Sequence, residues 1–317
     1  MTSRITVFLI FLLVLSASLG STPHPEKIFA AEQTNDTFAL TLTVTDKKGR
    51  PVAGLQRSDF TLLIDKQPAE IVSFSNNGPV SVGLLFDISG SMMTESSKET
   101  QKRWDKIGDG IVRFLERSHG QNEYFVIVFA STAKLIVDWT SDPRTIFAGL
   151  GQVTRGRETA LYDALAMGMN KVKQGHRPKR ALLVISDGQD NASKHKFTDV
   201  RDLLKRSDVL LYGVGLSDPA SAGSSLGMEG EGIIDELTSA SGTSALFLKF
   251  DNREVSLNDV FELLAAEMQS QYRAVVKVSS QGTPKWHKVS AKVEERTDSS
   301  GSKMRFVVKT RPGFYLN

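Results

Sequence analysis

The 317-residue chain is 40% hydrophobic and 24% charged, enough apolar material for about two globular domains of ~150 residues each. Its 39 Lys and Arg stand against 36 Asp and Glu, so the net charge of +3 is the remainder of two mixed totals and offers no basic field for nucleic acid. The absence of cysteine excludes a disulfide framework, a thiolate metal site, a cysteine nucleophile and a lipidated N-terminal cysteine, and the five histidines never adopt an H-E-x-x-H or H-x-x-x-H spacing.

Met1 to Arg4 carries one positive charge, Ile5 to Leu15 is an apolar run with Thr6 its one polar residue, and Ser16 to Ser21 is small and weakly polar apart from Leu19. This is the three-part pattern of a secretory signal, so residues 1–20 are expected to direct export and to be cleaved after Gly20. The run of about eleven residues falls short of the ~20 that cross a bilayer as a helix, and no stable membrane span is expected. Residues 21–36, with Pro23 and Pro25, read as a flexible leader.

Three zones follow. In residues 37–78 apolar and polar positions alternate through Leu40, Leu42 and Val44, through Phe60, Leu62 and Ile64, and through Ile71, Val72 and Phe74, which predicts half-buried strands. Residues 79–250 change to short apolar runs: Val82 to Phe86, Tyr124 to Phe129, Ala181 to Ile185, Val209 to Val214 and Ala245 to Phe250. Such runs suit parallel strands buried on both faces. Between them, Trp104, Ile107, Ile111, Phe114 and Leu115, then Leu161, Ala164, Leu165, Gly168 and Val172, recur at helical spacing. The alternation predicts an α/β fold with a doubly wound, mostly parallel sheet. A connecting helix is expected within 251–271, from Leu257 to Gln271, and strands return in 272–317. Neither flanking β zone holds enough apolar surface for a core of its own, so the two are expected to pair into one small β-sandwich-like module from which the α/β domain is inserted.

The residues that carry chemistry stand at two strand ends. Asp87-Ile88-Ser89-Gly90-Ser91-Met92 follows the first buried run, and Ser186-Asp187-Gly188 follows the run ending at Ile185. In a doubly wound sheet, ligands bind outside the carboxyl ends of the strands where the order reverses. Thr159, within Gly156-Arg157-Glu158-Thr159, leads into the Leu161 helix and is expected at the same cleft. Two carboxylates and three hydroxyls form a hard oxygen shell suited to Mg²⁺, Mn²⁺ or Ca²⁺. Two Asp supply at most two negative charges, so such an ion stays electrophilic enough to accept a carboxylate from another molecule.

Asp87-x-Ser89-x-Ser91, Thr159 in a Gly-x-x-Thr-x-Leu stretch, and Asp187-Gly188 resemble the metal-ion-dependent adhesion site of von Willebrand factor type A domains, over about residues 80–250. All five positions of that motif are filled. The resemblance implies that Ser89, Ser91 and Thr159 offer hydroxyls to the metal, that Asp87 and Asp187 bind it directly or through water, and that an acidic side chain of a protein partner completes the shell. Asp46 to Val52 and Asp59-Phe60 before the domain, with Arg311-Pro312-Gly313-Phe314-Tyr315 after it, look like the exported bacterial proteins termed VWFA-related acidobacterial-type domain proteins.

Around this set, Arg155 and Arg157 either steer an acidic partner or form a solvated rim, and Glu158 either adds charge beside the metal or faces solvent. Asp190 and Asn191 either bind waters near the metal or cap a turn. The glycine-rich stretch Ser217 to Gly232 reads as a mobile lid or as a disordered insertion. Met92, Met93 and Trp104 are expected to pack. Enzyme readings find less support: no Gly-x-Ser-x-Gly elbow surrounds Ser89 or Ser91, an aspartyl phosphatase would need Asp where Ser89 stands, and no phosphate-binding Gly-x-x-x-x-Gly-Lys loop exists. The sequence thus predicts a non-enzymatic, exported, metal-dependent binding module. The alternatives are a structural envelope component whose metal only stabilises the loops and, further off, a metal-dependent hydrolase.

Overall fold

A computed structural model describes residues 37–76, 78–90, 92, 98–154, 156–217, 224–249, 256–278, 285–297 and 303–316. The expected signal and leader, Ser91, Met93 and Arg155 lie outside the described residues. The N-terminal zone forms β1 (Thr37–Asp46), β2 (Phe60–Ile64), β3 (Gln67–Pro68) and β4 (Ile71–Asn76). Next come β5 (Val80–Asp87), α1 (Lys98–Arg117), β6 (Glu123–Phe129), β7 (Ala133–Thr140), α2 (Pro143–Leu150), α3 (Leu161–Val172), β8 (Lys179–Ser186), α4 (Phe197–Lys205), β9 (Leu210–Ser217), α5 (Ser225–Ser241), β10 (Ala245–Lys249) and α6 (Leu257–Gln269). The chain closes with β11 (Tyr272–Lys277), β12 (Lys285–Val293), β13 (Arg296–Thr297), β14 (Lys303–Met304), β15 (Phe306–Thr310) and β16 (Gly313–Leu316).

The central sheet runs β10-β9-β8-β5-β6-β7, parallel throughout except for β7. Alternate residues of its strands feed two cores. Val82, Leu84 and Phe86 meet Ile107, Ile111 and Phe114 of α1 and Val260, Phe261 and Leu264 of α6 on one face. Leu85, Phe125 and Val184 meet Leu161, Leu165 and Met169 of α3, with α4 and α5, on the other. This is the doubly wound sheet that the uninterrupted apolar runs predicted. Met92 is buried in the α1 face, and Trp104 packs half-buried against it. β7 had no counterpart among the predicted strands. It is an edge strand with Leu135 exposed and irregular register against β6, features that blur the alternation by which half-buried strands are recognised.

The flanking zones interleave. β1 pairs antiparallel with β11, from Thr37↔Lys277 to Leu42↔Tyr272, and on its other edge with β15. Both neighbours of this N-terminal strand therefore come from the C-terminal segment. A second sheet runs β16-β12-β2-β3, and the two enclose one core of Leu40, Leu42, Phe60, Leu62, Tyr272 and Phe314, among others. The Tyr272 hydroxyl accepts the Leu55 N–H (3.1 Å) and donates to the Val52 carbonyl (2.7 Å), tying the β1–β2 connection to this core. Alternation predicted one exposed face for β1, yet every residue from Phe38 to Thr45 is buried. On the outer face, Thr43 lies against Glu267 of α6, a point where the module meets the α/β layers.

Candidate functional site

The sheet order reverses between β5 and β8. From β5 the chain moves outward to β6 and β7, then returns to place β8 on the other side of β5. Parallel pairing of Phe86 with Ile185 brings the carboxyl ends of these two strands side by side. Asp87 therefore ends β5 next to Ser186, and Asp187 follows at once. A crevice at this switch point is the standard ligand position of an open α/β sheet.

Three loops meet there and are bonded to one another. Ile88 donates its N–H to the Phe129 carbonyl (2.9 Å) and accepts the Gly156 N–H (3.1 Å), while Gly90 N–H reaches the Arg157 carbonyl (3.4 Å). Ala160 N–H bonds the Ala130 carbonyl (2.7 Å), fixing the segment that carries Thr159 above β6. From the third loop, Asn191 accepts the Thr159 N–H on Oδ1 (2.8 Å), and the Asn191 and Ala192 N–H groups return to the Thr159 carbonyl (3.0 and 3.1 Å).

Asp87 is fully buried. Its Oδ1 accepts the Ser89 N–H (2.9 Å) and its Oδ2 the Ser186 hydroxyl (2.6 Å). Burial, joined by the nearby Asp187 carboxylate, pushes the Asp87 acid up to about 7, against the pull of Ser186 and Ser89. Ser89 and Thr159 are also buried, and Asp187 is half-buried with Oδ1 accepting the Gln189 N–H (3.1 Å). Among the described residues no group of three or more His, Asp or Glu is placed to hold a metal ion. The crevice gathers two acids among buried hydroxyls instead. That donor set fits a hard divalent cation, because the attraction of a cation between the acids would offset the repulsion and the desolvation penalty that raise Asp87.

Arg157 and Glu158 are exposed. Asp190 is held at the start of α3, where it accepts the Tyr162 N–H (3.0 Å) and the Ser193 hydroxyl (2.6 Å) on Oδ2. The stretch read as a lid or insertion is in large part helix: α5 begins at Ser225, and Ser224 caps it by accepting the Gly227 N–H (3.1 Å). Residues 218–223 lie outside the described set. Sequence reasoning passed over Ser186, whose hydroxyl donates to Asp87 and accepts the Gly188 N–H (3.1 Å), and also Gly230 of α5, which packs on the Asp187–Gly188 backbone. Ser186 directly precedes Asp187-Gly188, and Gly227 and Gly230 stand one helical turn apart. Those were the available signals. Beside the crevice an open cavity of about 550 Å³ shares Ile88 and Gly156 with the loops and is lined further by Val128, Ala130, Lys134 and Thr154.

Layering and strand order define a doubly wound α/β domain with an acid-and-hydroxyl crevice at its switch point. Residues 82–189 match the sequence pattern of the von Willebrand factor type A domain. Domains of this family are in general interaction modules. Among solved structures the fold is similar to the conserved hypothetical protein BatB from Bacteroides thetaiotaomicron, at 18% identity over 60% of this chain and 100% of that chain, with a TM-score of 0.45. It is also similar to the PilB minor pilin from Streptococcus sanguinis (14% identity, 62% of each chain, TM-score 0.48). A third likeness is to a von Willebrand factor type A protein from Catenulispora acidiphila (10% identity, 88% of this chain and 74% of that chain, TM-score 0.44). No curated protein matches the chain.

Proposed function

We propose that the chain is an exported, divalent-metal-dependent protein-binding module. Asp87, Ser89, Ser91, Thr159 and Asp187 hold Mg²⁺, or Mn²⁺ or Ca²⁺, and an acidic side chain of a partner completes the shell. The observation that carries this reading is the burial of Asp87, Ser89 and Thr159 at one switch point, with the Asp187 carboxylate close enough to raise the Asp87 acid. The ion supplies Lewis acidity toward a carboxylate, and the protein's part is to fix the two acids and exclude competing ligands. Two acids leave a divalent ion at most neutralised, so an incoming carboxylate still gains from binding. Arg157, exposed on the loop that bonds Gly90, steers an acidic surface toward the crevice, and Arg155, two residues earlier in the sequence, adds a second positive charge. The adjoining cavity gives room for the residues that flank the bound acid. Export rests on the pattern of Met1 to Gly20. Among the described residues no helix is long and apolar enough to cross a membrane.

The test is capture of partners from the native envelope with Mg²⁺ present, using wild type and Thr159→Ala. Binding is expected to be lost in EDTA and to fall about 10- to 100-fold in Thr159→Ala, with an unchanged circular dichroism spectrum. Partner capture that survives both EDTA and the substitution would contradict the proposal.

A further inference from the structure

α5 places a glycine where a helix gains nothing from one. Gly230 is buried in the helix interior, where glycine costs about 1 kcal/mol relative to alanine. Its reason lies across the gap: a Cβ at Gly230 would fall on the Asp187 carbonyl oxygen, with the Gly188 carbonyl carbon only 3.3 Å away. The contact is reciprocal, since a Cβ at Gly188 would fall on the Gly230 carbonyl. Gly188 has a second reason to be glycine, a φ of +84° in the left-handed region. Gly230 has only the contact. Because the opposing atoms are backbone, no rotamer change relieves a clash, and the loop must retreat by roughly an ångström to regain ordinary contact.

That loop carries one acid of the crevice, Asp187, and reaches the other, Asp87 at the end of β5, through Ser186. Asp187 is itself in the contact. Gly188 N–H binds the Ser186 hydroxyl (3.1 Å), which in turn donates to Asp87 Oδ2 (2.6 Å). A displaced Gly188 therefore disturbs Asp187 directly and Asp87 through Ser186. We infer that Gly230 is a positioning residue for the crevice: its backbone, flush against Asp187 and Gly188, sets the spacing of the two carboxylates and thereby the affinity for a divalent cation. The inference rests on the metal reading of the crevice.

The experiment titrates Mn²⁺ into wild type, Gly230→Ala and Gly232→Ala, following electron paramagnetic resonance of the bound ion, with folding checked by circular dichroism in EDTA. Gly232 is the control: it lies on the same helix, and a Cβ there meets nothing within 4 Å. Gly230→Ala is expected to weaken Mn²⁺ binding 10- to 100-fold and to alter the spectrum of the bound ion, which a simple loss of stability would not do, while Gly232→Ala matches wild type. Wild-type affinity in Gly230→Ala overturns the inference and leaves the metal reading standing. Absence of Mn²⁺ binding by wild type overturns both. Hydrogen exchange of the wild type bears on the point without any variant: Mg²⁺ should slow exchange in residues 225–232 together with 186–190, and protection confined to 186–190 overturns the inference.

Discussion

Two buried ionisable groups mark opposite ends of the central sheet. Asp87 closes β5 at the crevice, whereas Lys179 opens β8 at the far end, 3% exposed, with Nζ donating to the Gln271 carbonyl (3.3 Å). Burial lowers the Lys179 ammonium from its usual 10.5 to about 8. Between those values the unfolded chain binds a proton that the folded chain has released, so stability must rise as pH increases through this window. Lys179→Met removes that contribution. The difference in unfolding free energy between wild type and variant, followed by urea denaturation from pH 8 upward, should move in favour of wild type by up to about 3 kcal/mol. A pH-independent difference would show that the ammonium is not desolvated. Asp87 was readable as a site residue because an acid after an apolar run, followed by spaced hydroxyls, has few other uses. Lys179 was not, since a lysine at a strand's start looks like any solvated terminus until Gln271, distant in sequence, closes over it.

At the scale of elements, α3 shows how one loop holds another. Its N-cap residue, Ala160, has no side chain with which to accept the first free N–H groups. The loop after β8 supplies them: Asp190 accepts from Tyr162 N–H (3.0 Å) and Ser193 Oγ from Asp163 N–H (3.0 Å), while Asp163 accepts the Lys194 and His195 N–H groups (3.1 and 3.0 Å) in return. Asp190→Ala should lower stability by about 1–2 kcal/mol, the worth of a helix cap, and hydrogen exchange should speed up in residues 160–165 before the rest of the fold. An unchanged melting temperature and exchange pattern would mean that water replaces the carboxylate at no cost. The repeating apolar residues announced α1, α3 and α6. α5 was hidden because Gly227, Gly230 and Gly232 lower its helix propensity and imitate a loop, and only the close approach to Gly188 accounts for Gly230.

Over the whole molecule, the two β zones that looked too small to fold alone solve the problem jointly, with β1 held between β11 and β15. The α/β layers emerge between β4 and β11, and Thr43 of β1, a strand buried on both faces, lies against Glu267 of α6. The period-two pattern revealed the inner face of that strand. It carried no signal for the outer one, whose threonines become buried only through the packing of distant elements. The crevice stands at the carboxyl ends of β5 and β8, with its two acids set by Ser186 and by α5. The function of this end of the sheet depends on whether the crevice is a cation site. Isothermal titration of Mg²⁺ and Mn²⁺ into wild type and Asp87→Asn tests that most directly. One ion per chain is expected for wild type, with about a 100-fold loss of affinity in Asp87→Asn and the fold retained. Equal affinity in the two proteins, or no binding of either ion to wild type, would contradict it.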